Sequence, residues 1–224
     1  LGARALAGLA LLALDLCLGL QAARAAGDGA TSQRSFEDVD HWIAVFDDPG
    51  RDAWQKPDEL VQALALEPGM TVADLGAGTG YLSRRLSLAV GPEGTVLAVD
   101  PEPRLVAHLR ARAEREGTAN VVPVLASKDH PRLPARGVDL VLLLDTYHHI
   151  DGRRAYFREL HRALRPGGRL AVIDWHKRPL PVGPEPDHKL PREQVIDELD
   201  EAGWTLEREP DFLPYQYFLV FRPR

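Results

Sequence analysis

Five short runs of this chain have no polar face. TVADL (71–75), TVLAV (95–99), VVPVL (121–125), VDLVLLL (138–144) and RLAVID (169–174) carry apolar side chains at odd and even positions alike. Alternate residues of a strand point to opposite sides, so each run needs cover above and below. Amphipathic stretches at about 80–90, 102–116 and 152–164 lie between them and supply that cover. The alternation predicts an α/β fold with a parallel sheet between two helical layers. Ahead of it, PDELVQALAL (57–66) opens with proline and two acids, and puts Leu60, Val61 and Leu64 on one face before Pro68-Gly69 stops it. At the far end a helix at 191–202 is followed by WTLERE (204–209), a turn at Pro210-Asp211 and YQYFLVF (215–221). Two strands joined by so short a link form an antiparallel hairpin.

Composition narrows the function classes. The 224 residues are 45% hydrophobic and 27% charged, enough for one well-buried main domain. Lys and Arg number 27 against 33 Asp and Glu, and no basic block stands out, which disfavours a nucleic-acid binder. Cys17 is the single cysteine, so paired-thiol chemistry and a thiolate zinc site are excluded.

Residues 1–25 read as a signal peptide. ALAGLALLALDLCLGL (5–20) follows one positive charge at Arg4, and Ala23-Arg24-Ala25 supplies the small-x-small cleavage pattern. A helix of that run reaches about 24 Å, short of the roughly 30 Å hydrocarbon core, and Asp15 interrupts it, so a stable membrane span is the weaker reading. The expected location is periplasmic or secreted, or cytoplasmic if the start is mis-assigned. Residues 26–44 read as a linker and N-terminal arm, with the folded domain at 45–224; Trp42, Phe46 and Trp54 are either core or a lid over the ligand.

The chemistry concentrates at Asp74-Leu75-Gly76-Ala77-Gly78-Thr79-Gly80, where a strand turns toward a helix. Glycines there let the backbone approach a ligand, and free N–H groups at the helix start favour a negative group. Nicotinamide and flavin enzymes use such a turn too. Here the spacing is Gly-x-Gly-x-Gly, an acid precedes it, and Asp100 closes the next strand, where a carboxylate accepts from ribose hydroxyls.

VADLGAGTGYLS, VLAVDPEP and VDLVLLLDTYHHI together resemble the first, second and fourth-strand motifs of the class I S-adenosylmethionine-dependent methyltransferases, over about 45–224. The local match is best to the ubiquinone/menaquinone-biosynthesis type. The resemblance implies a Rossmann-like seven-stranded sheet with its last strand antiparallel, and S-adenosyl-L-methionine as cofactor. It implies that Asp74, Gly76 and Gly78, with Ala77 and Gly80 of the same turn, surround the methionine part and that Asp100 holds the ribose. Asp129 in DHPRLP resembles the acid that receives the adenine amino group, although the connection before it is longer than the family pattern. No Asn-Pro-Pro-Tyr-like stretch follows the fourth strand, which disfavours amide acceptors, and arsenite chemistry needs more cysteines than Cys17. A small-molecule O, N or C nucleophile remains.

Asp145 and Asp174 end the fourth and fifth strands and are expected to face one crevice, with Tyr147, His148, His149 and His176 nearby. A histidine, His148 or His149, suits proton removal from a methyl acceptor, with Asp145 beside it. The same acids could instead hold a magnesium-like cation, or the group could serve positioning alone; no metal is assigned. Asp139, Tyr215 and Tyr217 read as structural. A noncatalytic adenosylmethionine-binding extracytoplasmic protein and a nicotinamide-dependent oxidoreductase are the alternatives. Oligomeric state is not legible.

Overall fold

The computed structural model describes residues 29–31, 36 and 38–224. The signal-like run therefore lies outside the described residues. Among the described residues three short α-helices come first: α1 (Val39–Phe46), α2 (Asp52–Gln55) and α3 (Pro57–Ala63). The expected alternation follows as β1 (Thr71–Leu75), α4 (Ser83–Val90), β2 (Thr95–Asp100), α5 (Pro103–Glu116), β3 (Val121–Leu125), β4 (Val138–Leu144), α6 (Arg153–Leu160) and β5 (Leu164–Trp175). α7 (Arg192–Glu201), β6 (Trp204–Arg208) and β7 (Gln216–Pro223) complete it.

The seven strands form one sheet in the order β3-β2-β1-β4-β5-β7-β6. β1 to β5 run parallel, and β7 pairs antiparallel with both β5 and β6, so the predicted hairpin is present. Side chains alternate as the pleat requires. Val72, Leu140, Leu142, Ala171 and Ile173 face one apolar layer with Leu60, Leu86 and Leu109 of the helices. Ala73, Val141, Leu143, Leu170 and Val172 face the other with Phe157, Leu160, Val195 and Leu199.

Three boundaries differ from the sequence reading. α1 begins at Val39, inside the segment read as linker and arm, because Asp38 caps it by accepting from the His41 N–H at 3.2 Å. The helix after β1 begins at Ser83 because the glycine turn occupies the residues before it. β5 starts at Leu164 and not at Arg169, since pairing shifts between Val138↔Leu164 and Leu140↔Arg169 and lets Pro166-Gly167-Gly168 bulge out.

The turn carrying the histidines is braced from beneath. Arg153, fully buried, donates from Nε to Glu198 Oε2 at 2.6 Å and from Nη2 to Oε1 at 2.9 Å. Glu198 also accepts from Tyr147 Oη at 2.9 Å, and Arg153 Nη1 donates to the Ile150 carbonyl at 3.2 Å. Removing one partner leaves the other charge buried and unpaired, which costs about 3–5 kcal/mol. Glu198→Gln and Arg153→Leu are each expected to lower unfolding free energy by that order, and Arg153→Leu/Glu198→Leu by less than their sum, in urea titrations.

Candidate active site

β1 and β2 end side by side, and each delivers a carboxylate to the same edge. Asp74, 4% exposed, accepts from Ser83 Oγ at 3.1 Å. Asp100, 5% exposed, accepts the N–H of Gly78 on Oδ2 and that of Glu102 on Oδ1, both at 2.9 Å. Between them the chain doubles back through a left-handed Gly76 (φ +73°), where a Cβ would stand 2.3 Å from Thr146 Oγ1. Gly78 (φ +57°) leaves room for the Phe46 ring, 3.3 Å from where its Cβ would be.

Four of the turn's amides are bonded within the protein. Gly76 and Ala77 both donate to the Val99 carbonyl, at 2.8 and 3.1 Å, and Gly80 donates to the Ala77 carbonyl at 2.8 Å. With Gly78 held by Asp100, the expectation of free N–H groups fails for these four residues. The turn folds back onto β2 before α4 starts, so these donors are spent on the Val99 carbonyl, the Asp100 carboxylate and the turn itself.

Beyond this edge a cavity of about 880 Å³ runs on to the ends of β4 and β5. Its roof is the segment leading into α3, an arm that runs on past residue 44 to about 56: Phe36, Trp42, Phe46, Arg51 and Trp54 all line it. Trp42 stacks on Phe46 with centroids 5.3 Å apart, and Phe36 lies 4.9 Å from Trp42 and 5.5 Å from the His149 ring. Trp54 lies 5.3 Å from Trp175. Trp42, Phe46 and Trp54 are each only partly buried, and all three line the cavity.

At the far end Asp174 is fully buried and receives four bonds. His148 Nδ1 sits 2.9 and 3.0 Å from its two oxygens, the His148 N–H donates at 3.2 Å and that of Trp175 at 2.8 Å. Asp145 accepts from Arg51 Nη2 at 3.1 Å and from Gln216 Nε2. Asp145 lines the crevice as expected, but Asp174 does not: it is buried behind His148, and the oxygens of both acids face protein donors. Among the described residues no group of three or more His, Cys, Asp or Glu is arranged to hold a metal ion.

Comparison with known proteins bears on this geometry. Residues 72–168 match the model of the methyltransferase domain family. A solved SAM-dependent methyltransferase from Aquifex aeolicus superposes with a TM-score of 0.78 at 29% identity, covering 82% of this chain and 97% of that one. The matched segment belongs to the methyltransferase domain family, in the fold of a class I S-adenosylmethionine-dependent methyltransferase. An arsenite methyltransferase of Halobacterium salinarum is 32% identical over 110 residues, 49% of this chain and 28% of that protein. A ubiquinone/menaquinone biosynthesis C-methyltransferase of a Shewanella species is 28% identical over 161 residues, 69% and 61% of the two chains. The chain thus spans less than two thirds of either curated relative.

Of the methyltransferase residues expected from sequence, Asp74, Gly76, Ala77, Gly78, Asp100, Asp145, His148 and His149 line one cavity. Gly80 sits behind it, packed on Leu109. Asp129 does not join them: Ser127 and His130 pair across a tight turn, and the acid stands exposed at its tip, away from the cleft lining. Tyr147 is fully buried, stacked on Phe157 in the core and outside the cleft lining. His176 packs edge-on to Tyr217 outside the lining, and Asp139 is structural, accepting the Thr71 N–H at 2.7 Å. Arg51, Gln55 and Gln216 were not singled out; no local motif announces a residue whose partners lie 94 or 161 positions away.

Burial sets the electrostatics of the methyltransferase cleft. It pushes Asp74 up to about 6 against the Ser83 hydrogen bond, and Asp100 up to about 6 against the two backbone N–H donors. Asp145 rises to about 7, burial being opposed by Arg51 and reinforced by Asp174. Arg51 is the single Lys or Arg among the described lining residues. Such a site favours a ligand that brings positive charge or hydroxyl donors and disfavours a pyrophosphate. Asp74 and Asp100 hold protons near pH 6 until a ligand's donors lower their pKa values. S-adenosylhomocysteine is therefore expected to bind more tightly as pH rises from about 5.5 to 7.5 and to release protons near pH 6. Calorimetry in two buffers of different ionisation heat checks both; an affinity flat across that range contradicts the assignment.

Proposed function

We propose that this protein transfers the methyl group of S-adenosylmethionine to an oxygen, nitrogen or carbon of a small molecule. The arrangement of Asp100 carries the reading. It is a carboxylate buried at the end of β2, facing an apolar cleft whose glycine turn already spends the N–H groups of Gly76, Ala77, Gly78 and Gly80 within the protein. Ribose hydroxyls suit Asp100, and the positively charged amino group of a methionine moiety suits Asp74. A nicotinamide dinucleotide would bring its pyrophosphate to the spent amides. Asp100→Ala is expected to weaken S-adenosylhomocysteine binding by about 1.5–3 kcal/mol with the fold retained. Unchanged affinity would remove Asp100 from the site.

When bound, the cofactor supplies an electrophilic methyl on a sulfonium. The chain's own task is to align a nucleophile with it, exclude water and take one proton. Trp42, Phe46, Trp54 and Trp175 wall the cleft against solvent. Asp174 holds the proton of His148 on Nδ1, which makes Nε2 the basic atom, so His148 is our general base and Asp174 its orienting partner. His149, edge-on to Phe36, and Asp145, paired with Arg51, position the acceptor end. His148→Ala is expected to lower labelled-methyl transfer roughly 10²–10⁴-fold, and Asp174→Asn to lower it too by fixing the wrong tautomer, with S-adenosylhomocysteine affinity unchanged in both. Undiminished transfer by both variants would leave the histidine a positioning role.

A soft arsenic acceptor needs thiolates, and none stands among the cleft-lining residues. A noncatalytic binding role is separated by offering labelled cofactor and a metabolite extract to the protein: transfer excludes it. Export belongs to the same reading, supported by the apolar run at 5–20 and Ala23-Arg24-Ala25. Residues 1–30 fused to a periplasm-only reporter should give activity and a shortened product, whereas a full-length cytoplasmic product overturns it. Among the described residues no helix is long and apolar enough to cross a membrane.

A further inference from the structure

Gln55 and Gln216 do not line the cleft, yet both are buried beside it, at 0% and 3% exposure. A buried primary amide is tolerated only when its donors and acceptor are met. Here they are met by each other and by two charged neighbours. Arg51 donates to Gln55 Oε1 from Nε at 3.3 Å and from Nη2 at 3.1 Å. Gln55 Nε2 donates to Gln216 Oε1 at 2.6 Å, and Gln216 Nε2 donates to Asp145 Oδ1. Arg51 Nη2 closes the ring on Asp145 Oδ2 at 3.1 Å.

The ends of this ring dictate its sense. Arginine only donates, so Gln55 turns its oxygen toward Arg51 and its nitrogen toward Gln216, and Gln216 turns its nitrogen toward Asp145. The four side chains come from three places: the arm, the end of β4 and the start of β7. Arg51 is further seated by the Phe46 carbonyl at 3.3 Å and the Tyr81 ring at 4.1 Å. Asp145, where the ring ends, has a left-handed backbone (φ +56°) unusual outside glycine, so its side chain is aimed by these partners and not by a relaxed strand end. Lifting the arm would separate Arg51 from Asp145 and Gln55 from Gln216 together. A ring that breaks all at once has two states, not a graded range.

We propose that Gln55 and Gln216 are positioning residues that couple closure of the arm over the cleft to the placement of Asp145 beside His148 and Asp174. The benefit to catalysis rests on the methyltransferase reading; the coupling itself can be read without an acceptor.

The test is hydrogen exchange of the arm amides at about 48–56, with β1 and β4 amides reporting global opening, on the full chain with and without S-adenosylhomocysteine. In the unsubstituted protein the nucleoside should add protection to the arm. Gln216→Leu and Gln55→Leu should each raise arm exchange about tenfold while β1 and β4 stay protected. Neither should change S-adenosylhomocysteine affinity more than about threefold, since neither touches Asp74 or Asp100, but bound nucleoside should no longer slow the arm. The double variant should be no worse than either single one, the mark of groups acting as a unit. Arg51→Met reads the same ring from the arm side, should a glutamine variant fail to fold. Arm exchange unchanged by these substitutions, or rising only together with β1 and β4, overturns the proposal. If the nucleoside does not bind the unsubstituted protein, the functional reading fails, while the ligand-free exchange still decides the ring.

Discussion

A parallel strand covered on both faces has no flank on which to carry a polar side chain, so polarity is pushed to its ends. In this protein the carboxyl ends of β1, β2, β4 and β5 accordingly carry or lead into Asp74, Asp100, Asp145 and Asp174. Burial raises the first three, and everything else at the cleft answers that cost. Backbone amides are spent on Asp100, Ser83 on Asp74, an arginine and a glutamine on Asp145, a histidine on Asp174. The site is the place where a strongly apolar sheet runs out of apolar positions.

The fold was legible because two-sided hydrophobicity survives in one dimension. TVADL, TVLAV and VDLVLLL read as buried strands, and the short link through Pro210-Asp211 forced the antiparallel pair. Strand-end acids were equally plain, since Asp74 and Asp100 follow apolar runs without a break. What stayed hidden depends on contacts distant in sequence. Arg51, Gln55 and Gln216 look like ordinary polar residues until folding brings them together. Asp129 failed for the opposite reason: a local pattern suggested the cleft, but the Ser127 and His130 pairing turns that segment outward. The glycine turn failed in part as well, because its spacing carries no record of which carbonyl its amides meet.

The arm is built of short helices and supplies much of the wall of the cleft. α1 has no fully buried residue, so its own packing contributes little stability. It is held at separate points instead: Asp47 accepts from Thr79 Oγ1 and Arg112 Nη1, each at 2.8 Å, and Trp54 lies against Trp175. An element fastened by a few polar contacts and ring stacks opens at lower cost than one anchored in a core. That suits a cleft which must admit two molecules and exclude water between them.

The strand order has a consequence for how the sheet is completed. β7 lies between β5 and β6, so β6 joins the sheet only through a strand that follows it in sequence. Until β7 docks, β5 is an open edge, and its run from Leu170 to Trp175 offers a free row of backbone donors and acceptors. The antiparallel strand is thus a stopper as much as a structural member. Any intermediate that lacks it carries a strongly apolar seam ready to pair with another copy, and docking of β7 removes that hazard in the same step that delivers Gln216 to Asp145.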